Sequence, residues 1–82
     1  MGGTRRRQQP KGLPRKLLEI RQKLGLSQTE MAKRLQLKQA YTVISSYERG
    51  SREPDLVTLL RYAGLAKVAL DALVDDNAKL PK

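Results

Sequence analysis

Cysteine and histidine are both absent from this chain. Without them there is no ordinary zinc site, no Ser-His or Cys-His pair and no disulfide. An enzyme is therefore not expected, nor a catalytic residue, a metal or a cofactor. The adjacent acids Asp75 and Asp76 read as a solvated pair near the end of the chain. Long apolar runs are missing as well. None approaches the roughly 20 residues that span a bilayer, and no signal-peptide core follows the basic N-terminus. The default expectation is a cytoplasmic protein. At 82 residues the chain has room for one small domain, which helix packing alone must hold together.

Acidic charge is scarce in one half only. Up to Glu53 there are thirteen Lys or Arg against four acids, and from Pro54 onward four of each, so the whole excess of +9 lies in the first part. Such asymmetry is the electrostatic footprint of a surface that binds phosphates. A membrane surface would attract it too, but residues 1 to 16 lack the bulky apolar face of an interfacial helix, so no membrane partner is expected. Residues 1–12, rich in glycine and arginine, read as a disordered basic arm. Arg5, Arg6, Arg7 and Lys11 either lie along phosphates, with an arginine able to enter a narrow minor groove, or serve as a solubilising tail.

What is present is a series of short amphipathic helices, occupying residues 13–76, with 77–82 a short polar tail. The first runs from Pro14, suited to the first turn, to Leu24, with Leu17, Leu18, Ile20 and Leu24 inward and Arg15, Lys16, Arg21 and Lys23 outward. Gly25 ends it. Ser27 and Glu30 stand at capping-box spacing before Met31, Ala32 and Leu35, an apolar face with Leu26 and Met31 as its staple. After a polar turn, residues 42–49 form a helix with Ile44 and Tyr47 on one side. Tyr41, Thr42, Ser45 and Ser46 lie on the other, and Gly50 supplies the positive φ that closes it. A face of hydroxyls can enter a groove without charge conflict. Asp55 caps a fourth helix with Leu56, Leu59, Leu60 and Ala63 expected inward. A break at residues 64–67 and a last helix over 69–74 complete the chain.

The residues from Leu24 to Ala32, Ile44 to Gly50, Arg52 to Asp55 and Leu70 to Leu73 occur in the order of a known family. Over residues 18–76 the chain resembles the phage Cro and repressor type of helix-turn-helix domain (XRE-like), which implies a compact, all-α, five-helix fold and double-stranded DNA as partner. It departs from the pattern in one place. Leu35 to Ile44 is nine steps where the family usually has about seven, so the turn over residues 36–41 is longer. The resemblance carries base-facing positions onto Tyr41, Thr42, Ser45 and Ser46, and Gln39 joins them if it swings in from the long turn. It carries phosphate-facing positions onto Gln28, Arg49 and Arg52, with Lys38 beside them. Glu48 matches an acidic position that pairs within the protein.

Three functions follow from these readings. The first is a sequence-specific transcriptional regulator, most simply a repressor that occupies its operator, associated with the nucleoid. The second is an antitoxin-like or accessory DNA-binding factor that also grips a small protein partner. The third is a nonspecific nucleic-acid binder driven by the arm. Leu65, Val68, Leu70, Leu73 and Val74 exceed what one short helix needs for its own packing. They serve either the core or a two-fold homodimer contact.

Overall fold

A computed structural model describes residues 9–38 and 41–80 of the chain. Among the described residues five helices follow one another: α1 Leu13–Leu24, α2 Gln28–Arg34, α3 Tyr41–Arg49, α4 Leu56–Ala66 and α5 Asp71–Val74. The all-α expectation holds. Among the described residues no helix is long and apolar enough to cross a membrane. α2 packs chiefly on α3, α1 lies against α3, and α5 closes the far side against α1 and α4.

The apolar stripe of α1 starts earlier than its sequence suggests. The helix begins at Leu13, one residue before Pro14, and Leu13, Leu17 and Ile20 are buried. Leu24, expected inward, is 37% exposed. Lys16 was expected to point outward and is instead buried. Its Nζ donates to the carbonyls of Ala72 at 2.8 Å and Asp75 at 2.9 Å. The aliphatic stem thus lies along the stripe while the ammonium satisfies acceptors around the end of α5.

Four helices stop by the same device, in which the chain turns left-handed and two N–H groups return to the last turn. Gly25 and Gly50 do this at φ 70° and 79°, as their types allow. Gln36 and Lys67 do it at φ 60° and 59° despite carrying side chains. At the end of α2, Gln36 N–H donates to Lys33 O and Leu37 N–H to Ala32 O. This reversal delivers Leu37 to the edge of the core across the lengthened turn. Lys67 does the same for Val68 at the end of α4. Gly64, expected in the break, lies inside α4, and the break falls at Lys67.

α4 is capped as expected, Asp55 Oδ1 accepting from Thr58 N–H at 2.8 Å. Its inward side carries Thr58, Leu59, Tyr62 and Ala63. Leu56 and Leu60, expected to pack, are 61% and 49% exposed. The fully buried Tyr62 sets the rotation of the helix, and at about 100° per residue this leaves Leu56 about 120° and Leu60 about 160° around the helix from it, on the side away from the core.

The residues around α5 are largely taken up internally. Leu73 is fully buried, and Leu65, Val68, Leu70 and Val74 pack against the core together with Leu80. Leu80 lines a small apolar pocket with Ile20, Leu24 and Val68, so the expected polar tail folds back at least that far. Residues 9–12, expected to belong to the arm, also bond to the domain. The Asp76 carboxylate accepts from Lys11 N–H at 3.0 Å and Gly12 N–H at 2.9 Å, so it is a backbone cap and not merely a solvated acid. These bonds hold its pKa below the usual carboxylate value. Gln9 Nε2 donates to Gly50 O at 3.1 Å.

Candidate nucleic-acid interface

α3 is held by its buried side chains Val43, Ile44 and Tyr47 and by one charge pair. Arg21 Nε donates to Glu48 Oε2 at 2.7 Å and Arg21 Nη2 to Glu48 Oε1 at 3.1 Å, a fork on a carboxylate whose side chain is only 6% exposed. The same guanidinium gives Nη1 to Leu26 O at 3.0 Å, and Gln28 Nε2 donates to Glu48 Oε1 at 3.1 Å. One carboxylate therefore joins α1, the start of α2 and α3. The hydrogen bonds that Arg21 donates to Glu48 raise the pKa of its guanidinium above the ordinary value. Burial, aided by the charge of Glu48, pushes the Tyr62 phenol well above its ordinary value. Glu48 pairs with an arginine as expected. Arg21, expected to face outward, is instead a strut of the fold.

With Val43, Ile44 and Tyr47 buried, α3 turns its other side to solvent. Tyr41 is 52% exposed, Thr42 is exposed, and Ser45 and Ser46 are half-buried. No charged side chain interrupts this face before Glu48. Ser46 Oγ donates to Thr42 O at 3.0 Å, so its proton is committed and the hydroxyl is left with acceptor capacity. The helix starts at Tyr41, one residue before the expected Thr42.

Arg49 is the last residue of α3, and Arg52 follows Gly50 and Ser51 in the connection to α4. Both are exposed, as is Lys38 in the long turn. Ser51 Oγ and N–H both return to Ser46 O, which ties this connection to the helix. Arg61, by contrast, donates to Leu35 O at 2.8 Å and is spent on the end of α2. The remaining site residues of the sequence reading, Gln39, Arg5, Arg6 and Arg7, lie outside the described residues.

At the start of α2 the capping box is complete. Ser27 N–H donates to Glu30 Oε1 at 2.8 Å and Glu30 N–H to Ser27 Oγ at 3.1 Å. These bonds hold the Glu30 carboxyl below its usual pKa. A carboxylate thus already occupies part of the helix end where Gln28 was expected to meet a phosphate. One amide N–H of Gln28 goes to Glu48, leaving its second N–H and its peptide N–H for an anion. Among the features that escaped the sequence reading are three long-range contacts: that of Gln9, the burial of Lys16 and the capping by Asp76. Each joins residues more than forty positions apart, beyond the reach of local periodicity.

Comparisons with known proteins agree with this geometry. A helix-turn-helix family model matches residues 17–73, more than half of the chain. The HTH-type transcriptional regulator ImmR of Bacillus subtilis (strain 168) is 40% identical over 62 residues, covering 76% of this chain and 47% of ImmR. The chain therefore spans about half the length of that relative. Among solved structures, the P22 c2 repressor protein in complex with synthetic operator 9T superposes with a TM-score of 0.70 at 23% identity, over 79% of this chain and 96% of that one. At that identity the likeness speaks for the fold. The matched segment holds the capped α2, the long turn and α3 closed by Gly50, and on that ground the chain belongs to the helix-turn-helix family of the phage Cro and repressor type.

Proposed function

We propose that this protein is a sequence-specific, double-stranded DNA-binding transcriptional regulator that represses by occupying its operator, with α3 in the major groove. The observation that carries the proposal is the Arg21–Glu48 fork, which holds α3 so that its uncharged hydroxyl face looks outward between exposed cations. Tyr41, Thr42, Ser45 and Ser46 meet base edges, with Gln39 alongside. Ser46, its proton committed to Thr42 O, accepts from an exocyclic amino group of adenine or cytosine. Arg49, Arg52 and Lys38 clamp phosphates, Gln28 offers its free N–H groups, and Arg5, Arg6 and Arg7 extend the contact along the backbone. The protein works at the nucleoid, in the cytoplasm.

Operators of this kind are read by pairs of domains. The surface that favours a homodimer is the outer side of α4, where Leu56, Val57 and Leu60 are 61%, 55% and 49% exposed. The one charged side chain of α4, Arg61, is turned to Leu35 O, which makes this the face on which two copies of a chain of charge +9 can meet without repulsion. The accessory-factor reading gives the same face to a small protein partner and requires a monomer when the chain is pure.

Selection of binding sites from random DNA tests the proposal. A short palindromic consensus is the expected result. Equal binding to every duplex, or chemical-shift changes on a bound oligonucleotide that leave α3 silent, would refute it.

A further inference from the structure

The residue that closes α3 is held from more than one side. Gly50 N–H donates to Tyr47 O at 3.3 Å, and the N–H and hydroxyl of Ser51 both return to Ser46 O, so the connection is tied to α3 itself. Pro14 of α1 presses on it as well, its Cγ standing 3.1 Å from where a side-chain Cβ at Gly50 would sit. Gln9 adds a contact from outside the bundle, reaching across forty-one positions to donate Nε2 to Gly50 O at 3.1 Å. Gln9 precedes residues 17–73, which carry the family match, so this contact is no part of the motif itself.

Packing does not call for an amide at this position. The Gln9 Oε1 is buried with no hydrogen-bond partner among the described residues, an unfavourable placement that a methionine of the same length would avoid. What the amide adds is its donor to Gly50 O. That oxygen and the Ser51 N–H belong to one planar peptide, which is therefore pinned at both polar atoms, by Gln9 on one side and by Ser46 O on the other. The bond also draws off the negative end of the α3 dipole, which would otherwise repel a phosphate. Arg49 and Arg52 flank this peptide, and both are exposed.

We infer that Gln9 is a positioning residue for DNA binding: by pinning the Gly50–Ser51 peptide it holds the connection in the shape from which Arg49 and Arg52 reach the phosphate backbone. This rests on the reading above that the two arginines clamp phosphates. Without the donor, the peptide is tied to α3 at its N–H alone, and DNA must order the connection as it binds. Ordering a loosened connection and its side chains at that moment corresponds to about a two- to tenfold loss of affinity. The arginines still arrive, so the number of phosphates neutralised stays the same.

A two-by-two mutant cycle tests the role, with Gln9→Met on one axis and the joint change of Arg49 and Arg52 to Ala on the other. Each protein is titrated over a salt series with a duplex of mixed sequence, since phosphate contacts are independent of sequence, and thermal unfolding is recorded for all four. Gln9→Met is expected to bind about two- to tenfold more weakly, with the parent's salt slope and a Tm within a few degrees of the parent's. The arginine pair is expected to lower the slope by about 1.8, at about 0.9 per phosphate contact. Adding Gln9→Met to the arginine variant should change affinity no further, because no clamp is left to position. Parent affinity in Gln9→Met would overturn the inference while leaving the clamp reading intact. An equal loss with and without the arginines, or a loss matched by a large fall in Tm, would overturn it too, reducing Gln9 to a general prop of the fold. An unchanged slope in the arginine variant would remove the clamp reading, and the role of Gln9 with it.

Discussion

Arg21 and Glu48 meet fork to carboxylate across twenty-seven positions of sequence, and the oxygen at 3.1 Å from Nη2 is the one that also accepts from Gln28. Removing one partner leaves the other charge largely enclosed, at 17% or 6% side-chain exposure. Arg21→Met alone is expected to cost about 2–3 kcal/mol and to lower Tm by roughly 10–15 °C. The double change Arg21→Met with Glu48→Leu should recover much of that loss, since no unpaired charge remains. Calorimetry of the two variants checks it; a double variant less stable than the single one would show that the pair itself stabilises the fold.

Arg49 and Arg52 on the one hand and Ser46 on the other should separate affinity from selectivity. Changing either arginine to Ala is expected to lower the salt slope of DNA binding by about 0.9 while leaving the order of preferred sequences unchanged. Ser46→Ala should leave the slope alone and relax the preference at one base pair. Titrations on a small panel of single-site duplex variants distinguish the two behaviours.

Leu60, half-exposed on α4, should govern self-association and little else. Leu60→Asp is expected to yield a monomer by sedimentation equilibrium at concentrations where the parent chain is dimeric, with Tm changed by only a few degrees. A parent chain that stays monomeric throughout would remove the α4 face from the account.

The ends of the helices were partly legible in the sequence. Gly25, Gly50, the capping box at Ser27 and the cap at Asp55 announce themselves by residue type, and all four appear as read. Gln36 and Lys67 did not, because only the tertiary pull on Leu37 and Val68 draws them left-handed. The inward side of α4 was misjudged for a related reason. Several leucines give two defensible stripes, and the bulk of Tyr62 decides between them. For the site, the uncharged face of α3 was visible from residue types and the pairing of Glu48 was implied by the family resemblance, whereas which arginine answers Glu48 depends on how α1 lies against α3.

Lys67→Gly and Gly64→Ala bear on the same helix with opposite chemistry. Lys67 at φ 59° pays for its side chain, and glycine there should stabilise by about 0.5–1 kcal/mol. Gly64 lies within α4 with nothing inside 4 Å of a Cβ, so alanine there should add about 0.8 kcal/mol. Chemical denaturation with an unchanged m-value is the appropriate measure.

Acid should unfold the protein by way of its caps. Glu30, Asp55 and Asp76 have folded-state pKa values lowered chiefly by hydrogen bonds from the backbone N–H groups of Ser27, Thr58 and Gly12 respectively. A depressed carboxylate stabilises fully above its unfolded value and loses that contribution as pH falls through the folded one. Stability is therefore expected to hold from neutrality to about pH 5 and to fall below about pH 4. Asp76→Asn should flatten that decline, as seen in Tm measured against pH.

The grip of Asp76 on Lys11 and Gly12, reinforced by Lys16 on Ala72 and Asp75, brings the chain's entry and exit from the bundle to a common corner. A short peptide joining those two segments would close the backbone into a ring almost without strain. New ends could then be opened in the connection between α2 and α3, giving a circular permutant with the same core and the two helices of the motif no longer consecutive in sequence.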